Sequence, residues 1–95
     1  MDYVVRPLPN VTVQLARASR SIQDRFEHIA SVLAMNPYPN PQFPLVTEDW
    51  AEDGTKIYTY SDDDFPFAIQ YIIFDPIDDS YGSISIIDLI RLRNR

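Results

Sequence analysis

At 95 residues with no cysteine, the chain fits one domain around one core (residues 1–95), held by neither disulfides nor thiolate metal sites. Its net charge of −6 is uneven: residues 48–88 carry eleven acids and one base, Lys56, which argues against a nucleic-acid binder with a basic stripe against phosphates and makes RNA a disfavoured partner. No run approaches the ~20 apolar residues of a bilayer span, and Met-Asp-Tyr-Val-Val-Arg-Pro lacks the basic lead and apolar stretch of a signal peptide, so a cytoplasmic protein without a membrane partner is expected.

Residues 3–8 (Tyr-Val-Val-Arg-Pro-Leu) read as a short strand, which Pro7 and Pro9 confine to a sheet edge or end early because they lack backbone donors. Asn10 is the candidate N-cap of a helical segment. Over residues 10–34 the pattern is helical, with Leu15, Ile22, Phe26, Ile29 and Leu33 along one stripe and Arg17, Arg20, Asp24, Arg25 and Glu27 off it. Ser-Arg-Ser at 19–21 leaves a helical hairpin open. The absence of Gly and Pro favours one long amphipathic helix. Asn-Pro-Tyr-Pro-Asn-Pro at 36–41 then stops the helix and carries the chain towards a sheet.

Three strands are expected in the C-terminal half. Lys56–Tyr60 is rich in β-formers and comes after the turn signal Asp53, Gly54. Residues 65–74 are the most apolar stretch, and residues 83–92 are the last. Short polar loops join them, which implies an antiparallel meander and an α+β fold with the helix packed on the sheet. In the middle strand Phe67, Ile69, Tyr71 and Ile73 share one face. Ala68, Gln70, Ile72 and Phe74 share the other, where only Gln70 is polar. The strand is therefore expected to be interior with both faces covered. One face takes the helix. The other takes residues 38–50 (with Phe43, Leu45, Val46 and Trp50) or another protein, which makes Ala68, Gln70, Ile72 and Phe74 the candidate partner-binding set.

Residues that could carry chemistry are few. His28 is the sole histidine and reads as a boundary residue of the helix. Asp62, Asp63 and Asp64, and Asp78 and Asp79, match no calcium-loop register and read as solvated turn acids; no metal site and no cofactor is expected. Arg91 and Arg93 alternate on the last strand, and Arg6 joins them if the first strand pairs nearby. Such a cluster suits a phosphate or carboxylate; its structural counterpart is a set of charges that keeps an edge strand soluble.

Several of these segments share one layout with a known group. They are the N-terminal Tyr-Val-Val strand, Leu-Ala-Met-Asn-Pro at 33–37, the strand after Gly54, Phe-Ala-Ile-Gln-Tyr-Ile-Ile at 67–73, and the final strand from Ile84 to Arg91. In this order the chain resembles the RelE/ParE toxin superfamily of bacterial toxin–antitoxin systems, over nearly its whole length. The resemblance implies a compact α+β fold and an antitoxin-like partner. It also implies either ribosome-dependent mRNA cleavage by a basic surface or inhibition of DNA gyrase. The residues available for the cleavage role are Lys56, Arg91 and Arg93. Where the family commonly has Arg after the leading aromatic of the central strand, this chain has Ala68. Phosphoryl chemistry needs positive groups at the developing charge and a group to move the 2′-hydroxyl proton. So few bases point to a diverged or inactive toxin that acts by binding. The other reading is an acidic, non-enzymatic interaction module on the same fold. A homodimer is compatible with both.

Overall fold

A computed structural model describes residues 3–41, 45–78 and 80–92. The elements are β1 (Tyr3–Pro7), α1 (Pro9–Ala16), α2 (Arg20–Met35), β2 (Val46–Trp50), β3 (Lys56–Tyr60), β4 (Phe67–Phe74) and β5 (Gly82–Arg91). The five strands form one sheet in the order β1-β5-β4-β3-β2. β2 to β5 are an antiparallel meander, and β1 joins β5 in parallel, so the sheet is mixed. The α+β class and the three C-terminal strands are as expected, and β4 is the middle strand of five.

The helical segment departs from one long helix. It breaks after Ala16 and restarts at Arg20 without Gly or Pro. Side chains make the break. Ser19 takes an extended conformation and its hydroxyl accepts from the Ile22 N–H at 3.4 Å. Gln23 Nε2 donates to the Leu15 carbonyl at 2.8 Å, which also accepts from the Ala18 N–H, and to the Ala18 carbonyl at 3.4 Å, and so ties α2 back to the end of α1.

Asn10 is not the N-cap. Leu8 holds that position, with Pro9 opening the helix, where its missing N–H costs nothing. Asn10 Nδ2 instead donates to the Ile87 carbonyl at 3.1 Å, and Gln14 Nε2 donates to that of Leu89 at 3.1 Å. β1 pairs with β5 only as far as Ile86, and Leu8 N–H adds one more bond to the Ile86 carbonyl at 2.9 Å. Beyond that point α1 takes over from β1 and supplies side-chain donors to the β5 edge. The last strand is therefore interior over its first half and capped by a helix in its second, not a sheet edge.

The core lies between the helices and one face of the sheet. Val11, Phe26, Ile29 and Leu33 meet Tyr58, Tyr60, Ile69, Tyr71, Ile84, Ile86 and Leu89. α1 lies against β5 and β1, and α2 against β1. The α2 stripe ends at Asn36, which is extended ahead of Pro37. Pro37 is buried, and its carbonyl accepts from the Tyr71 hydroxyl at 2.7 Å. Next to it Tyr38 packs edge-on against Tyr58, with ring centroids 5.8 Å apart, so the proline connector extends the cover over β3. At the start of β5, a Cβ on Gly82 would lie 2.5 Å from the Tyr3 ring, so only glycine lets β1 pair here.

Among the described residues of the 38–50 segment, none covers the second face. Residues 46–50 are β2 and widen the sheet at its edge, and Trp50 is 62% exposed. Phe43 lies outside the described residues.

Candidate functional site

Strand alternation builds the second face, and among the described residues no helix lies on it. β1 contributes Val4 and Arg6, since Tyr3 and Val5 pack on the core. β4 contributes Ala68, Gln70, Ile72 and Phe74. Across the β4–β5 pair these stand opposite Ile90, Asp88, Ser85 and Ser83. One residue of β5, Ile87, is extra at the register shift beside Gln70 and Tyr71, and this bulge keeps Ile86 and Leu89 both on the core side. Thr59 of β3 lies opposite Gln70, and Thr47 of β2 opposite Thr59. Three large apolar side chains of this face are open to solvent: Phe74 at 53%, Ile90 at 42% and Val4 at 38%. The four residues singled out from the sequence do share one open face. Phe74 is its most exposed apolar member, whereas Ala68 is buried.

One row crosses the whole sheet. Arg6 stands opposite Ser85, Ser85 opposite Ile72, and Ile57 opposite Asp49. Ile72 and Ile57 meet one step further along the register that pairs Tyr58 with Tyr71. The row therefore begins in a cation on one edge strand and ends in an anion on the other. Neither Arg6 nor Asp49 has an ion-pair partner among the described residues.

The candidate basic residues are not brought together. Lys56 points to the helix side of the sheet at its uncovered β2 margin. There it lies 4.6 Å from the centre of the Trp50 ring and 3.8 Å from Glu48 Oε2. Arg91 stands opposite Phe67, with its guanidinium 5.4 Å from the ring centre. In register Lys56 falls opposite Ile73, six residues from Phe67 along β4, or ~20 Å at ~3.3 Å per residue. Arg6 is on the opposite face from Arg91. Arg93 lies outside the described residues.

Two polar clusters emerge that sequence spacing did not suggest. In the first, the hydroxyls of Tyr3 and Tyr38 both donate to Oδ1 of Asp75, the former at 2.9 Å. Burial, then the bond to Asp75 and its charge, raise the pKa of both phenols, so both stay protonated donors. The cluster ties the start of β1, the connector after α2 and the end of β4, residues up to 72 positions apart.

In the second, the Tyr60 hydroxyl and the Asp64 N–H (2.7 Å) donate to Asp62, and Arg25 of α2 reaches its Oδ2 at 3.4 Å. Burial opposes the Asp62 charge, but Tyr60, the Asp64 N–H and Arg25 together outweigh it and hold the carboxyl below its ordinary range. Asp62 is thus a clamp between α2 and the sheet and not a solvated turn acid. Asp64 is exposed, as is Asp78 in a turn at φ +60°. His28 is exposed on α2.

Among the described residues no group of three or more His, Cys, Asp or Glu could hold a metal ion, and no helix is long and apolar enough to cross a membrane. No protein-family model matches the chain, and no curated protein or solved structure is significantly similar to it.

Proposed function

We propose that this chain is a RelE/ParE-like component of a toxin–antitoxin pair and acts by binding rather than by cutting RNA. The observation that carries the binding is the open second face of β4. Every described element is already committed elsewhere: α1 and α2 to the other face, and residues 46–50 to the sheet itself. The segments on which the resemblance rests are also consistent with this reading. The Tyr-Val-Val strand is an edge strand, Leu33 to Pro37 is the exit from the helical layer, and 67–73 is the central strand. The separation of Lys56 from Arg91 argues against a shared phosphate site.

The test is expression of the full chain alone and with the product of the adjacent reading frame. The expected result is slowed growth that co-expression relieves, together with a complex of the two proteins. Unimpaired growth with no binding to the neighbouring product overturns the reading. Messenger cleavage that disappears in Lys56→Ala or Arg91→Ala overturns its non-enzymatic part.

A second reading is an acidic interaction module for a basic protein. It is supported by β2, an open edge strand in which Thr47, Glu48, Asp49 and Trp50 are all exposed. A partner held there would dissociate steeply with added salt. A toxin–antitoxin contact on the apolar face would be much less salt-sensitive.

A further inference from the structure

We propose that, in the chain by itself, the open face of the sheet is covered by a second copy, stacked face to face about a two-fold axis that runs parallel to the strands along β4. The proposal rests on reading that face as a binding surface and names its occupant.

The argument comes from charge and topology. A chain of net charge −6 resists meeting itself unless the contact is locally neutral. The strand residues of this face carry only three charges: Arg6, Asp49 and Asp88. Arg6 and Asp49 sit at the two ends of one cross-strand row. β4 is the third of five strands, so a two-fold along it reverses the strand order and superposes the whole sheet on its copy. β1 then lies over β2 of the second copy, and β5 over its β3. Arg6 meets Asp49 of the second copy and, by symmetry, Asp49 meets its Arg6. Asp88 meets Thr59, which is uncharged.

The other way to stack the faces puts the two-fold across the strands. Each strand then lies over its own copy, bringing Arg6 towards Arg6 and Asp49 towards Asp49. Like charges set face to face repel, so the sign pattern selects the first arrangement. Along its axis Ile72 and Phe74 lie over their own copies, which removes from water the most exposed apolar side chain of the face. Sheet twist turns stacked faces by about 30°. That displaces the edge strands along their length by a few ångströms, a distance the long Arg6 side chain spans.

The test is sedimentation velocity of the full chain over a wide concentration range, with three variants: Arg6→Asp, Asp49→Arg and the two together. Arg6 and Asp49 are both exposed, so the fold should tolerate either change. The expected result is a dimer that each single reversal weakens by roughly tenfold or more, since symmetry counts each change twice, and that the double reversal restores. A monomer at every concentration overturns the proposal. So does a dimer indifferent to the single reversals, or one the double reversal fails to restore. Sedimentation reads the dimer and growth reads the function, so failure of one is distinguishable from failure of the other.

Discussion

The two faces of the sheet are nearly alike in composition along β4 and unlike in what covers them. Ile69 and Tyr71 on one side are buried to 1% and 0%, whereas Phe74 on the other is 53% exposed. The difference lies in what stands above each face. Two short helices and the proline connector cover the first. Among the described residues the second has only its own strand neighbours, many of them Ser or Thr. An apolar strand thus says that it can be interior, not which of its faces will be dry.

The comparison is sharpest in the core. Ile84→Ala should cost ~2–5 kcal/mol of unfolding free energy, by lost transfer and an unfilled cavity. Phe74→Ser, measured at low protein concentration, should stay within about 0.5 kcal/mol, as an exposed substitution does. Equal costs in chemical denaturation would mean that the second face is covered within the chain.

Next in size is the β1–β5 junction on the covered side. Gly82→Ala forces a methyl group into the Tyr3 ring and should cost ~1–3 kcal/mol. Tyr3→Ala in the same chain should recover part of that loss, because it removes the obstacle.

The helix layer is also fastened to the sheet by polar groups. Asn10→Ala leaves the Ile87 carbonyl without its side-chain donor and should cost ~1 kcal/mol. Thermal melts of Asn10→Ala and Gln14→Ala would show whether α1 does seal the β5 edge.

The smallest effect is in the pH dependence. The folded protein holds the Asp62 carboxyl below its unfolded value. Its contribution is therefore complete above the ordinary carboxylate range and is lost as pH falls through the folded value. Asp62→Asn should lower stability at neutral pH and flatten the acid limb of the stability curve. The Tyr38 phenol shifts the other way, so its contribution is present below about pH 10 and disappears as pH rises further.

The local patterns were legible where one physical rule dominated. β-former content and apolar runs bounded by turn residues placed β3 as observed and β4 and β5 to within two residues. The apolar stripe through Phe26, Ile29 and Leu33 gave the buried face of α2. The helix break was harder to read. It depends on Gln23 folding back to the carbonyls of Leu15 and Ala18, and a polar side chain looks the same in sequence whether it faces water or a helix end. β2 was missed because Thr47, Glu48 and Asp49 have no apolar alternation; an edge strand exposed from Thr47 to Trp50 needs none. In the candidate site, the grouping of Ala68, Gln70, Ile72 and Phe74 on one face came from alternation alone. Whether Lys56 and Arg91 meet did not, since that depends on register across three strands.

By itself, then, the sequence determined that residues 10–34 are mostly helical, where β1, β3, β4 and β5 lie to within two residues, which side of α2 is apolar, and that the acids are concentrated in residues 48–88. Those properties come from neighbours a few residues apart. The tertiary structure decided the rest: β1 beside β5 in parallel, Asp75 shared by Tyr3 and Tyr38, and Arg6 at the far end of a row from Asp49. Those relations join residues up to 79 positions apart, as Tyr3 and Gly82 are, and only the closing of the chain on one sheet brings such groups within reach of each other.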